Sequence, residues 1–141
     1  MNPQLIFGPM LLMFTLTIAV WVHMYVKRIA LIREHGLHAD EVTHEKLAEI
    51  SPPEVANPSD NLKNLFEVPT IFYAFVVYLY VTANVDAIYV AGCWAFAGLR
   101  VIHSLIHCTF NKVMLRFLVY VASTLVLWVM IIRALFSHFS T

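Results

Sequence analysis

Charge is scarce in this chain of 141 residues: only 13% are Asp, Glu, Lys or Arg, where soluble domains carry about 25%. The nine basic residues cancel the nine acidic ones, and no basic cluster of the nucleic-acid-binding kind occurs, which argues against such a partner. Cysteine is limited to Cys93 and Cys108, both inside apolar stretches, so a secreted disulfide scaffold is excluded. Four glycines and six prolines leave no room for low-complexity linkers. There is no Gly-rich phosphate loop, nucleophile elbow or zinc-protease motif. What is abundant is apolar: 60% of residues are hydrophobic and the mean hydropathy is +0.74. The length allows one domain, and its solvent is largely lipid.

A helix needs about 20 mainly apolar residues to cross about 30 Å of hydrocarbon. Four stretches qualify: Leu5–Val26, Leu65–Val85, Ala87–Phe110 and Val113–Ser137. The first lacks a basic leader and a small-residue cleavage site, and its apolar run is long, so it reads as a retained helix. Asn84–Asp86 and Asn111–Lys112 are tight turns that make the last three spans antiparallel neighbours. Residues 27–64 form a long polar loop. In it, Lys27–Arg33 continues the first helix, His38–Ile50 forms a short polar helix, and Pro52, Pro53 and Pro58 break the rest. The expected fold is an all-α membrane protein, a four-transmembrane-helix bundle occupying residues 1–141 as one domain. Lys27, Arg28, Arg33, Lys46 and Lys63 lie in the first loop, with Lys112 and Arg116 at the third, and the second loop has no basic residue. The positive-inside rule then places the 27–64 loop in the cytoplasm and both termini on the opposite side.

Ionisable side chains inside the spans are costly and mark sites by default. Arg100 lies ten residues before Phe110, hence about 15 Å deep at 1.5 Å per residue. His103 and His107 follow on the same helical face. Asn64 and Glu67, three apart, are expected to share a face at the start of the second span, and Arg116 lies one turn into the fourth. Together these residues outline one polar pocket in the cytoplasmic half of the membrane. A structural Glu67–Arg100 ion pair is the plainer reading. Two arginines and two histidines against one acid suit an anionic guest better. His103 and His107 are also spaced to ligate a metal or haem, although no acid or thiolate set accompanies them.

The run NLKNLFEVPTIFYAF (Asn61–Phe75), an Asn-x-x-Glu followed by proline, resembles the second-helix signature of the MAPEG family, membrane-associated proteins in eicosanoid and glutathione metabolism. GLRVIHSLIHCTFNKVMLRF (Gly98–Phe117), an Arg-x-x-His with a further Arg sixteen residues after the first, is similar to its second signature. The resemblance spans essentially the whole chain. It implies a homotrimer that binds glutathione between subunits near the cytoplasmic face. Asn64 and Glu67 would contact the peptide's backbone or amino group, with Lys63 the nearest cation for a carboxylate. Arg100, His103 and His107 would form the third-helix wall, and Arg116 would be the catalytic residue that activates the thiol, as a guanidinium favours a thiolate. Two positions depart from the family pattern: Asp60 stands where a basic residue is usual, and His107 where tyrosine is common. The pattern looks like the bacterial branch, implying a multi-pass protein of the bacterial inner membrane.

The resulting expectation is a glutathione-dependent transferase or peroxidase acting on lipophilic small molecules dissolved in membrane lipid. A non-catalytic binding or accessory protein of the same fold is the alternative, and a haem- or metal-binding subunit the third.

Overall fold

The computed structural model describes residues 2–139. A 3-10 turn at Pro3–Ile6 leads into α1 (Phe7–Glu34), and a second at Ala39–Glu41 precedes α2 (His44–Ile50). The chain continues through α3 (Pro53–Leu65), α4 (Val68–Val81), α5 (Ala87–Cys108) and α6 (Val113–Phe139). Four helical units are long and apolar enough to cross a membrane: Pro3–Glu34, Pro53–Val81, Ala87–Cys108 and Val113–Phe139. α1 runs unbroken through Lys27–Arg33, as expected.

Two expectations about the long loop are overturned. The polar helix is shorter than His38–Ile50, because the Thr43 hydroxyl caps it by accepting from the Lys46 N–H and so fixes its start. Residues 53–65, assigned to a proline-broken loop, form α3. Pro53 sits in the first turn, where a missing N–H costs nothing. Pro58 lies inside the helix and is buried with Val55, Asn61 and Leu65, so packing offsets its lost backbone bond. The second span therefore begins well before Leu65, and it breaks at Phe66–Glu67. Pro69 explains the break: it has no N–H to offer the Leu65 carbonyl, and its ring would collide with that carbonyl in a continuous helix. Asn64 and Glu67 consequently sit on opposite sides of a discontinuity and do not share a helical face.

α5 is the hub, packing against α1, α3 and most extensively α6. Its apolar inner face (Tyr89, Cys93, Phe96, Ala97) meets Phe72 and Val76 of α4 and Leu127 and Met130 of α6 in the core. Phe72 and Phe96 stack with ring centroids 4.4 Å apart. Gly92 lets α6 approach, since a Cβ there would collide with the Met130 sulfur. The aromatic run divides as a helix face should: Phe72, Phe75 and Leu79 are buried, while Tyr78 and Tyr80 are exposed.

At the end of the bundle formed by the α4–α5 turn, Asp86 caps α5 by accepting from the Tyr89 N–H at 2.9 Å and pairs with Arg133 of α6. The Arg133 guanidinium also lies 4.3 Å from the Tyr89 ring centroid. Hydrogen bonding from Arg133 holds the Asp86 carboxyl below its ordinary value. A lowered carboxyl value in the folded state gives stability that is present above the unfolded value near pH 3.9 and lost as pH falls through the folded one. Asp86→Ala is expected to destabilise the bundle by about 1–2 kcal/mol, mostly through the cap, since half-exposed ion pairs are worth little. Thermal unfolding in detergent at pH 7 and pH 3 checks this: the deficit should be present at neutral pH and shrink in acid.

Candidate functional site

Three helices bring polar side chains together where α3 meets the α5–α6 turn. α3 carries Asn57, Asn61 and Asn64 at i, i+4 and i+7, a spacing that aligns them along one face. α5 presents Arg100, His103 and His107, all buried. α6 contributes Arg116 and, one turn on, Tyr120.

The asparagines each meet a partner or an opening. Asn57 accepts from the side-chain amide of Asn111 at 2.9 Å. Asn61, fully buried, accepts from the Ser104 hydroxyl at 3.3 Å and donates to the Cys108 sulfur at 3.4 Å. Asn64 opens onto a cleft of about 300 Å³ whose lining includes three further polar side chains, His103, Arg116 and Tyr120, and the apolar Val113, Met114 and Phe117. Arg116 is half-buried there and donates from Nη1 to Asn111 Oδ1 at 2.8 Å.

Behind this lining lies Arg100, with no exposed surface. Its guanidinium carbon is 4.6 Å from the Tyr120 ring centroid and 5.4 Å from that of Phe96. None of its three side-chain nitrogens makes a hydrogen bond of good geometry among the described residues. His103 links the two layers: its ring lies 5.8 Å from Tyr120 and 5.6 Å, edge to face, from His107. The Nδ1 atoms of both histidines are buried without a partner. Among the described residues neither Arg100 nor Arg116 takes part in an ion pair, the pairs being Lys46–Glu49, Lys63–Asp60 and Arg133–Asp86. Nor do three or more His, Cys, Asp or Glu side chains gather there as metal ligands would.

The structure thus assembles Asn64, His103 and Arg116 around the cleft and places Arg100 and His107 directly behind it. Two expected members are not in it. Glu67 is exposed at the α3–α4 break, where Pro69 has turned it away from the face of Asn64. Within the single chain Arg100 is enclosed by protein and Glu67 is not. Lys63 is exposed and paired with Asp60 at 3.0 Å, one turn apart on α3, and it borders a different groove with Arg28 and Ser59. Tyr120 and the asparagines at 57, 61 and 111 escaped the sequence reading. The signal for Tyr120 was its place four residues after Arg116, and for α3 the repeat of asparagine at helical spacing.

A sequence profile of the MAPEG family matches residues 6–136. The chain belongs to the MAPEG family. The match includes all four membrane-length helices apart from a few terminal residues, so the whole bundle is the family's domain. No curated protein and no solved structure matches the chain.

The packing around Arg100 is open to test in this MAPEG chain. Tyr120→Leu removes one of its two aromatic neighbours and should lower stability by about 1–2 kcal/mol, whereas Tyr120→Phe should retain most of it, because a desolvated cation–aromatic contact reaches about 2 kcal/mol. Thermal unfolding of the two variants in detergent distinguishes the ring from the hydroxyl. Equal losses would mean that the hydroxyl is what Arg100 needs.

Proposed function

We propose that this MAPEG protein binds a small anionic thiol, glutathione by family resemblance, and activates it toward lipophilic electrophiles dissolved in the bilayer. The observation that carries the reading is the pair of arginines, one in the cleft and one behind it, that form no ion pair among the described residues. A cation left free of an internal partner is available to an anionic guest, and a guanidinium beside a thiol favours the thiolate, the reactive form. In the reaction, the thiol proton passes to water and the sulfur lone pair forms a C–S bond to the electrophilic carbon. The leaving group departs with its bonding electrons. With a hydroperoxide, the thiolate takes the terminal oxygen to give an alcohol and a sulfenic acid, which a second thiol converts to disulfide and water. Asn64 would hold the peptide part of the thiol, His103 would complete its wall, and Val113, Met114 and Phe117 would receive the apolar co-substrate. Glu67 and Lys63 belong to this site only if a neighbouring subunit brings it to them, which the proposed homotrimer would do.

The same reading places the protein in a bacterial inner membrane, with the cleft and the connection between α1 and α3 on the cytoplasmic side and both termini opposite. One observation favours the non-catalytic alternative: Asp60 occupies the place of a carboxylate-clamping cation and also neutralises Lys63. Family membership and thiol chemistry are therefore separable.

Calorimetry with glutathione and ultraviolet absorbance of the thiolate test the reading. Binding with thiolate formation is expected, and binding without it would favour the accessory role. In the active protein, Arg116→Ala should lower kcat by roughly ten- to a hundred-fold with little change in KM, the pattern of an interaction made in the activated state. Asn64→Ala should raise KM and spare kcat.

Topology is tested separately. With Cys93 and Cys108 replaced by serine, Glu45→Cys and Asn84→Cys should react with an impermeant maleimide from opposite faces of sealed vesicles. Labelling of both from one face would refute the orientation.

A further inference from the structure

Asn111 lies in the four-residue connection between α5 and α6, residues 109–112, and it does two separable things. Its backbone adopts a left-handed conformation, φ 41°, and its N–H bonds the Ile106 carbonyl at 2.8 Å, closing the end of α5. Its side chain then bridges two other helices, accepting from Arg116 Nη1 at 2.8 Å while donating to Asn57 Oδ1 of α3 at 2.9 Å. The orientation of that amide is forced. A guanidinium only donates, so the oxygen must face Arg116 and the nitrogen Asn57.

We infer that Asn111 is a positioning residue, a neutral clamp that fixes the Arg116 guanidinium in the cleft and ties it to α3, the helix that also carries Asn64. The inference rests on the thiol-activating reading for its functional consequence, but the clamp itself does not. An unheld arginine side chain of this length samples many rotamers, and a misplaced charge loses most of its effect on a reacting atom. Neutrality is the point of using asparagine. A carboxylate would hold the guanidinium more tightly, but its charge would offset the one offered to the thiolate. The amide orients one nitrogen and leaves the positive charge unopposed.

Two variants separate the roles. Asn111→Gly keeps the left-handed backbone, which glycine adopts freely, and deletes the bridging amide. Asn111→Asp keeps an acceptor toward Arg116 and adds a negative charge. The first readout needs no activity: phenylglyoxal, an arginine-specific reagent, with modification at Arg116 followed by mass spectrometry of the full-length protein in detergent. Asn111→Gly should accelerate that modification about five- to tenfold over wild type, given the strength of a hydrogen bond to a charged group, and Asn111→Asp should slow it. The second readout is thiolate formation against pH with glutathione. Both variants should need higher pH than wild type, the glycine through disorder of Arg116 and the aspartate through offset of its charge. Slower modification combined with poorer thiolate formation in Asn111→Asp is a result that a merely structural role would not give.

An unchanged Arg116 modification rate in Asn111→Gly overturns the clamp. If that rate rises while thiolate formation in both variants matches an active wild type, the assignment of a positioning role is overturned. A wild type that forms no thiolate overturns the thiol reading instead, and the clamp is then decided by the modification rate alone.

Discussion

Arg100 constrains everything around it. Its side chain has no exposed surface, no hydrogen bond of good geometry among the described residues and two aromatic rings against its guanidinium. A charge in the membrane interior costs at least about 2.5–3.5 kcal/mol even on lenient scales, so the protein must enclose it. The enclosure is built by α5 itself through Phe96 and by α6 through Tyr120, which helps explain why these two helices share the most extensive packing of the bundle. Tyr120 therefore faces two ways, stacking on the buried cation and lining the cleft beside Arg116. The positive field of the cleft is a consequence of that burial. Arg116 at the surface of the cleft and Arg100 beneath it act on the same small volume, and no internal carboxylate occupies it.

The parts of this organisation that follow from long-range periodicity were legible in the residues. Four apolar runs of membrane length gave four helices, and Arg100, His103 and His107 at i, i+3 and i+7 proved to share one buried face. Arg116, near the start of α6, was brought to the same end of the bundle by a four-residue connection. What resisted was local. Prolines 53 and 58 looked like breakers, yet the first sits where its missing N–H is harmless and the second is supported by packing that no linear pattern reveals. The proline that does interrupt the chain, Pro69, follows Glu67 by two residues, and it acts backwards on the Leu65 carbonyl. That displaced Glu67 from the face predicted for it. Side-chain amide chains such as Asn57–Asn111–Arg116 are invisible to periodicity because they join three elements through single contacts.

The opposite end of the bundle is organised by different means. Arg133 would count as a basic residue in any tally of topogenic charge, but Asp86 pairs with it across the α4–α5 turn. The charge of Arg133 at this end of the bundle therefore has a counter-ion close by. Asp86 serves as cap and counter-ion at once, so one side chain anchors the start of α5 to the last turns of α6.

The interruption at Phe66–Glu67 has a consequence for the surrounding lipid. α4 contains 14 residues, about 21 Å of helix, which is shorter than a hydrocarbon core, so α3 contributes to the second span, Pro53–Val81. α6, with 27 residues, is long enough to span that core with a surplus. The exposed carboxylate of Glu67 at the break would need water, headgroups or a protein neighbour rather than acyl chains.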